Sequence, residues 1–148
     1  MKKFVGFYYR CSFKVCLCAF LSLIGFLFLS SSAFALQYGD YVYSVSNSTV
    51  TINQYIGGGG DVVIPSTING MPVVRIGSYT TLISGVHIIV GAFWWCPGVT
   101  SVVIPDSVTS IDQGAFWVCL DLTSVTIPSS VTSIGSGAFS ACSRLTTA

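Results

Sequence analysis

Two segments that abut without a gap decide the fold: GAFWWCPGVTSVVIPDSVTSIDQ (91–113) and GAFWVCLDLTSVTIPSSVTSIGS (114–136). They agree at 15 of 23 positions, and a third copy, GAFSACSRLTTA (137–148), matches the second at six of twelve. Unrelated segments do not agree so densely in register, so the chain repeats every 23 residues, at Gly91, Gly114 and Gly137. Within one period the apolar residues are Ala115, Phe116, Cys119, Leu122, Val125, Ile127, Val131 and Ile134. That spacing is neither helical nor a plain alternation. Around Leu122, Val125 and Ile127 it describes a short strand whose Ser124 and Thr126 point outward. Pro128 has no N–H to give a ladder and ends it. Val131 and Ile134 return to the same core, and Gly135 or Gly137 permits a turn into a short helical piece, Ala138 to Cys142, equivalent to Ala115 to Cys119. One such turn leaves its apolar row uncovered, whereas stacked copies convert each row into a ladder.

The L-x-x-L-x-L spacing of Leu122, Val125 and Ile127, and the longer pattern LTSVTIPSSVTSIGSGAFSAC (122–142), resemble the BspA-like leucine-rich repeats of bacterial surface and secreted proteins, a family also found in some parasitic protists. Upstream, GDYVYSVSNSTVTINQYIGGGGDVVIPSTINGMPVVRIG (39–77) resembles that family's N-terminal capping region, in which a β-hairpin leads into a first IP-x-x-I-N-G-x-P-V-x-x-I-G turn. The resemblance implies a β-rich solenoid, a right-handed coil of ~23-residue repeats with short helical turns and an N-terminal β-hairpin cap. It also implies a non-enzymatic role in cell-surface adhesion, or in recognition of a protein or glycan of a host or neighbouring cell. The other reading is a structural spacer, or a fragment without a ligand of its own.

On this reading residues 36–60 form the cap, 61–90 a first, irregular repeat region, and 91–148 two complete repeats and a truncated third. Between Ile76 and Gly91 the AF-x-x-C element is missing, and a compressed half-repeat would put Val86 and Ile89 in the places of Val131 and Ile134. At the other end Leu145 to Ala148 align with Leu122 to Val125, so the array stops within a strand. An uncapped edge of this kind predicts a fragment of a longer array and end-to-end self-association.

Residues 1–35 read as a secretory leader: Lys2, Lys3, Arg10 and Lys14, an apolar run from Val15 to Leu29, then SSSAFA with Ala33 and Ala35 in an A-x-A arrangement. An uncleaved anchor helix is the alternative. Cys16 and Cys18 lie inside the apolar run with no small-residue lipobox before them, which argues against a lipid anchor. Membrane contact is therefore expected only through the leader, and the mature chain is expected to be secreted or held at the cell surface. Beyond the leader, two arginines (Arg75, Arg144) face five aspartates (Asp40, Asp61, Asp106, Asp112, Asp121), a net charge of −3. Such a surface lacks the clustered cations that neutralise phosphates, so nucleic acid is not a partner.

No constellation for catalysis stands out. Cys96, Cys119 and Cys142 recur at the repeat period and read as a buried, reduced ladder; a disulfide or a metal site is the weaker reading, since equivalent side chains point in parallel and no histidine accompanies them. His87, the single histidine, lies in VHIIV with no nucleophile or acid placed by any catalytic signature, and reads as a half-exposed strand residue. Gly57 to Gly60 form a turn rather than a phosphate loop, because no Lys-Ser/Thr follows. Asp106, Asp112 and Asp121 lack the dense spacing of a calcium loop and read as solvated carboxylates. Asn47-Ser48-Thr49 is a glycosylation sequon, relevant in a eukaryotic host. No cofactor is implied, and the absence of paired acids or a nucleophile–base pair makes a hydrolase the weakest reading.

Ligand contact is better sought on two surfaces. Trp94 and Trp117 occupy equivalent positions with Trp95 beside them, and the third copy has Ser140 there; stacked indoles suit carbohydrate or protein contact, or simply shield the convex face. The concave strand face offers Ser101, Ser124 and Thr126 with Val103, a small, polar and uncharged surface.

Overall fold

The computed structural model describes residues 36–83 and 85–148. The leader expectation for 1–35 lies outside them. The described chain opens as an antiparallel meander of β1 (Leu36–Tyr38), β2 (Tyr41–Ser46) and β3 (Thr49–Tyr55). Asn47 and Ser48, at φ 50° and 59°, make the two-residue turn between β2 and β3. A pair of left-handed residues matches the twist of a hairpin, and Asn tolerates that conformation well. Tyr43, Val50, Ile52 and Tyr55 turn inward from this meander and are buried.

Parallel pairing begins after β4 (Gly60–Val63) and β5 (Thr67–Ile68), when β6 (Met71–Ile76) lies beside β3. A hairpin follows, β7 (Ser78–Ile83) with β8 (Val86–Gly91), and then the repeat strands β9 (Val99–Val103), β10 (Ser110–Ile111), β11 (Ser124–Thr126) and β12 (Ser133–Ile134). Each repeat supplies one strand to each of two rows. β4, β9 and β11 form one row, with Asp61, Ser101 and Ser124 in register. β6, β10 and β12 form the other, in a sheet that continues through β3 to the meander.

Threonine hydroxyls extend both rows. The backbone N–H and the side chain of Thr123 both donate to the carbonyl of Thr100, at 2.8 and 2.9 Å, and Thr146 does the same to Thr123, at 3.0 and 3.2 Å. On the second row Thr132 bonds Thr109 in this way, and Thr109 bonds the carbonyl of Val74. The recurring T-S pairs of the sequence are therefore a bonding pattern: threonine ties one repeat to the one before it, and the serine beside it belongs to the strand.

At the GAF corner the expected short helical turns are absent. An α-helix would send the Cys119 N–H to the carbonyl of Ala115. That carbonyl instead accepts the N–H of Phe93, one repeat earlier, at 2.7 Å, and the Cys119 N–H turns to Phe116 at 3.3 Å. Phe116 and Val118 donate onward to Ala138 and Ser140 of the next repeat, at 2.8 and 3.0 Å. Bonds between repeats have taken the place of the helical i→i−4 bonds, while three-residue turn bonds such as Trp117 N–H to Gly114 remain within the corner. Trp95, Val118 and Ala141 sit at φ 53°, 62° and 59°, a region that side chains rarely adopt, and the N–H groups of the first two donate to the next corner, at 3.0 Å each. Gly91 answers a different need, since a Cβ there would land on the carbonyl of Gly114 in the neighbouring corner.

Inside the corners the rings of Tyr55, Phe93, Phe116 and Phe139 form one column, with successive centroids 4.9, 4.7 and 5.1 Å apart and planes within 19° of parallel. Tyr41 tilts against its upper end at 5.6 Å. Phe93 and Phe116 are fully buried, and around them lie Val99, Val102, Ile104, Val108, Ile111, Leu122 and Val125. Cys96 and Cys119 are buried and Cys142 partly so, all as thiols. The Cys119 thiol donates to the carbonyl of Phe93 at 3.0 Å, and that of Cys142 to Phe116 at 3.1 Å, so these two cysteines bond the corner before their own, while the Cys96 thiol contacts the carbonyl of Trp94 in its own corner at 3.9 Å.

Residues 78–91 depart from expectation. They do not supply a compressed half-repeat: β7 and β8 pair antiparallel from Ser78↔Gly91 to Ile83↔Val86, around Gly85 at φ 80°. Val86 is 59 % exposed instead of replacing Val131 in the core. β-branched and apolar residues on either side of Gly85, in TTL and VHIIV, outweigh the repeat register here. The hairpin is spliced in at its base, where Ala92 donates to Gly77 at 2.9 Å and Tyr55 to Ala92 at 2.7 Å.

Two outcomes are expected. Phe116→Ala, in mid-column, should cost about 3–5 kcal/mol in denaturant unfolding, and Phe139→Ala, only partly buried, distinctly less. Burial, with Tyr55 and Asp40 nearby, pushes the Tyr41 phenol up to about 12. An unfolded tyrosine ionises near about 10, so the folded state holds the proton more tightly; this stabilisation is complete below about pH 10 and lost as the pH rises towards about 12. Phenolate absorbance should therefore show one late-ionising tyrosine, absent in Tyr41→Phe.

Candidate functional site

The hairpin stands beside the GAF corners, and between them runs an open groove of about 510 Å³. One wall is His87, Ile88 and Ile89 of β8. The opposite wall consists of corner residues from two successive repeats, Gln113 with Ser136, Gly114 with Gly137, and Trp117 with Ser140, each pair 23 residues apart. None of these side chains is an acid, a lysine or an arginine. Trp117, 39 % exposed, stacks on Trp94 with centroids 6.4 Å apart and planes at 30°.

Asp112 holds the hairpin base in place. One carboxylate oxygen accepts Arg75 Nε at 2.8 Å and the other accepts the N–H of Ser78, the first residue of β7, at 3.1 Å. With its side chain 14 % exposed, Asp112 is not the solvated loop carboxylate expected from the sequence. Asp121 is also engaged, pairing with Arg144 at 3.0 Å, though more openly. Nothing in the local sequence marks Asp112, because its partners lie 37 and 34 residues away.

Of the residues singled out from sequence, the structure brings Trp94 and Trp117 together, and Trp117 lines the groove. Trp95 adjoins them in the chain, and its ring is 53 % exposed. Ser101, Ser124 and Thr126 lie on the β4–β9–β11 row, a separate surface. That surface is not uncharged as expected: Asp61 on β4 lies opposite Ser101 and accepts its hydroxyl at 2.7 Å and that of Thr100 at 2.9 Å. The Ser101 bond, and then the Thr100 bond, hold the Asp61 carboxyl below its usual value. The neighbouring register pairs Val63, Val103 and Thr126, with Val63 68 % exposed. His87 does lie on a strand, β8, exposed at the groove. Sequence reasoning missed the hairpin as a wall; the break in the 23-residue period was its signal. Among the described residues, no group of three or more His, Cys, Asp or Glu could hold a metal ion.

Comparison with known proteins gives the same architecture. Residues 86–148 match the model of the BspA type leucine rich repeat region. A leucine rich cell surface protein of Faecalibacterium prausnitzii A2-165 superposes with a TM-score of 0.65 at 34 % identity, over 80 % of this chain and 31 % of its own. A leucine-rich repeat protein of Bacteroides capillosus does so at 0.63 and 28 %, over 74 % of this chain and 77 % of its own. A third, from Bacteroides ovatus, gives 0.58 and 27 %, over 77 % and 29 %. The chain thus spans about a third of the length of the Faecalibacterium protein. No curated protein matches it. Through residues 86–148, with their two parallel strand rows and stacked GAF corners, the chain belongs to the BspA-type leucine-rich repeat family.

Proposed function

We propose that the chain is an exported, non-enzymatic recognition module, coiled as a short right-handed solenoid, that contacts a protein or glycan on a host or neighbouring cell. The observation that carries this reading is the Trp94–Trp117 pair. The corner phenylalanines are packed into the central column, yet these two indoles stack on its outside, and Trp117 lines a groove. Flat amphipathic rings held rigid in this way bury area on binding at low entropic cost. The groove lining offers one titratable side chain, His87, with no nucleophile–base pair, which favours binding over turnover. Secretion or display at the cell surface is supported by the leader pattern and by the likeness to a cell surface protein of F. prausnitzii. Among the described residues no helix is long and apolar enough to cross a membrane. End-to-end association of repeat arrays belongs to this reading as a second mode of contact.

A spacer role is the competing reading, favoured by the threonine ladders, which use recurring polar residues of the repeats for cohesion. Binding of the purified chain to immobilised matrix proteins and glycans separates the two. Recognition predicts saturable binding to at least one of them, lost in a Trp94→Ala/Trp117→Ala double variant with unchanged circular dichroism. A folded chain that binds none of them would be a spacer.

A further inference from the structure

The groove beside the hairpin has a shape that the repeat pattern explains. Equivalent positions of the three copies carry Trp94, Trp117 and Ser140. A third indole would continue the outer stack; the serine leaves that place open, and the groove is lined there by Trp117, Gly137 and Ser140. One face of Trp117 is backed by Trp94, while its ring remains 39 % exposed. Gly114 and Gly137 add no side chain to the floor, and their φ values of 64° and 62° make a side chain there strained. Around the indole stand neutral hydrogen-bonding groups: the Gln113 amide, the Ser136 and Ser140 hydroxyls, and the His87 imidazole from the facing wall. The volume, about 510 Å³, lies within the ordinary range for a small-ligand site.

We propose that this groove is a subsite for a neutral pyranose unit of a glycan. The proposal rests on the recognition reading above and names its ligand class. A pyranose presents an apolar C–H face and a rim of hydroxyls, each of which donates and accepts. The Trp117 face takes the first, and the amide, hydroxyls and imidazole take the second. With no charged side chain in the lining, a uronic acid or a sulfated sugar gains no salt bridge there. The hairpin makes the site a groove rather than a flat patch, because Ile88 and Ile89 of β8 cover the side opposite the indole.

The test titrates the full chain with neutral hexaoses (cello-, malto- and manno-series) and with an oligogalacturonate, following tryptophan fluorescence and saturation-transfer NMR. At least one neutral series should bind saturably, with a fluorescence shift and contact to sugar C–H protons, and the uronate should not. Trp117→Ala should weaken binding by about tenfold or more, as truncation of a central aromatic contact does. Ser140→Trp restores the residue that two other repeats carry at this position, so it should fold normally, fill the groove and abolish binding. Leu120→Ala, exposed and outside the lining, should leave affinity unchanged. No response to any neutral series, or equal binding by Ser140→Trp, overturns the proposal. If the chain still captures a deglycosylated matrix protein through the Trp94/Trp117 surface, only the saccharide assignment falls; if it captures nothing, the recognition reading falls with it.

Discussion

The ring column from Tyr55 through Phe93 and Phe116 to Phe139 sets the spacing on which the rest depends. Near-parallel rings with centroids 4.7 to 5.1 Å apart match the distance between neighbouring strands, so ring stacking and backbone pairing are satisfied together. The column also joins the two halves of the described chain. Tyr55 ends an antiparallel strand yet occupies the place that a corner phenylalanine holds in a repeat, and Tyr41 covers it. A meander with one pairing geometry thereby closes an array with another, without exposing the end of the core.

Once that spacing holds, the corner backbone must choose between bonds within itself and bonds to its neighbours. Bonding to the next corner satisfies the same donors while locking two repeats together, and cysteine and threonine side chains add further bonds in the same direction. Cohesion here is therefore lateral, as in other arrays whose units contact only their neighbours. The outcome for the surface is direct: residues after the GAF phenylalanine are forced outward at a fixed interval, and the two indoles stack because their backbones do.

The proposed binding groove lies where the array is imperfect. The groove exists because a hairpin interrupts the period between Gly77 and Ala92, and because the third corner carries serine in place of tryptophan. Asp112 links these irregularities to the regular part, bonding the hairpin base at Ser78 and the β6 side chain Arg75 from the end of β10. A perfectly regular array would offer one repeated rung; the interruption makes one rung different from the others.

The 23-residue period, the strand centred on Val125 (Ser124–Thr126), most of the inward apolar positions and the family were legible in the sequence, because repetition shows the same burial pattern; Ile134, expected in the core, is 52 % exposed in the second copy, while its equivalent in the first, Ile111, is buried. Antiparallel strands before Gly60 were expected too, through the resemblance of residues 39–77 to the family's capping region. The corner was misread as helical, since its sequence carries turn-forming spacing but says nothing of where its carbonyls will find donors. The hairpin at 78–91, the role of Asp112 and the charge that Asp61 places beside Ser101 were decided only by the tertiary structure. Each depends on partners more than 30 residues apart, or on competition between two pairings of the same strand, and local pattern contains neither. The sequence by itself thus determined what stacks upon what, through the periodic burial of apolar side chains; the tertiary structure decided where the stack is interrupted and what the interruption exposes, because those contacts form only after the stack exists.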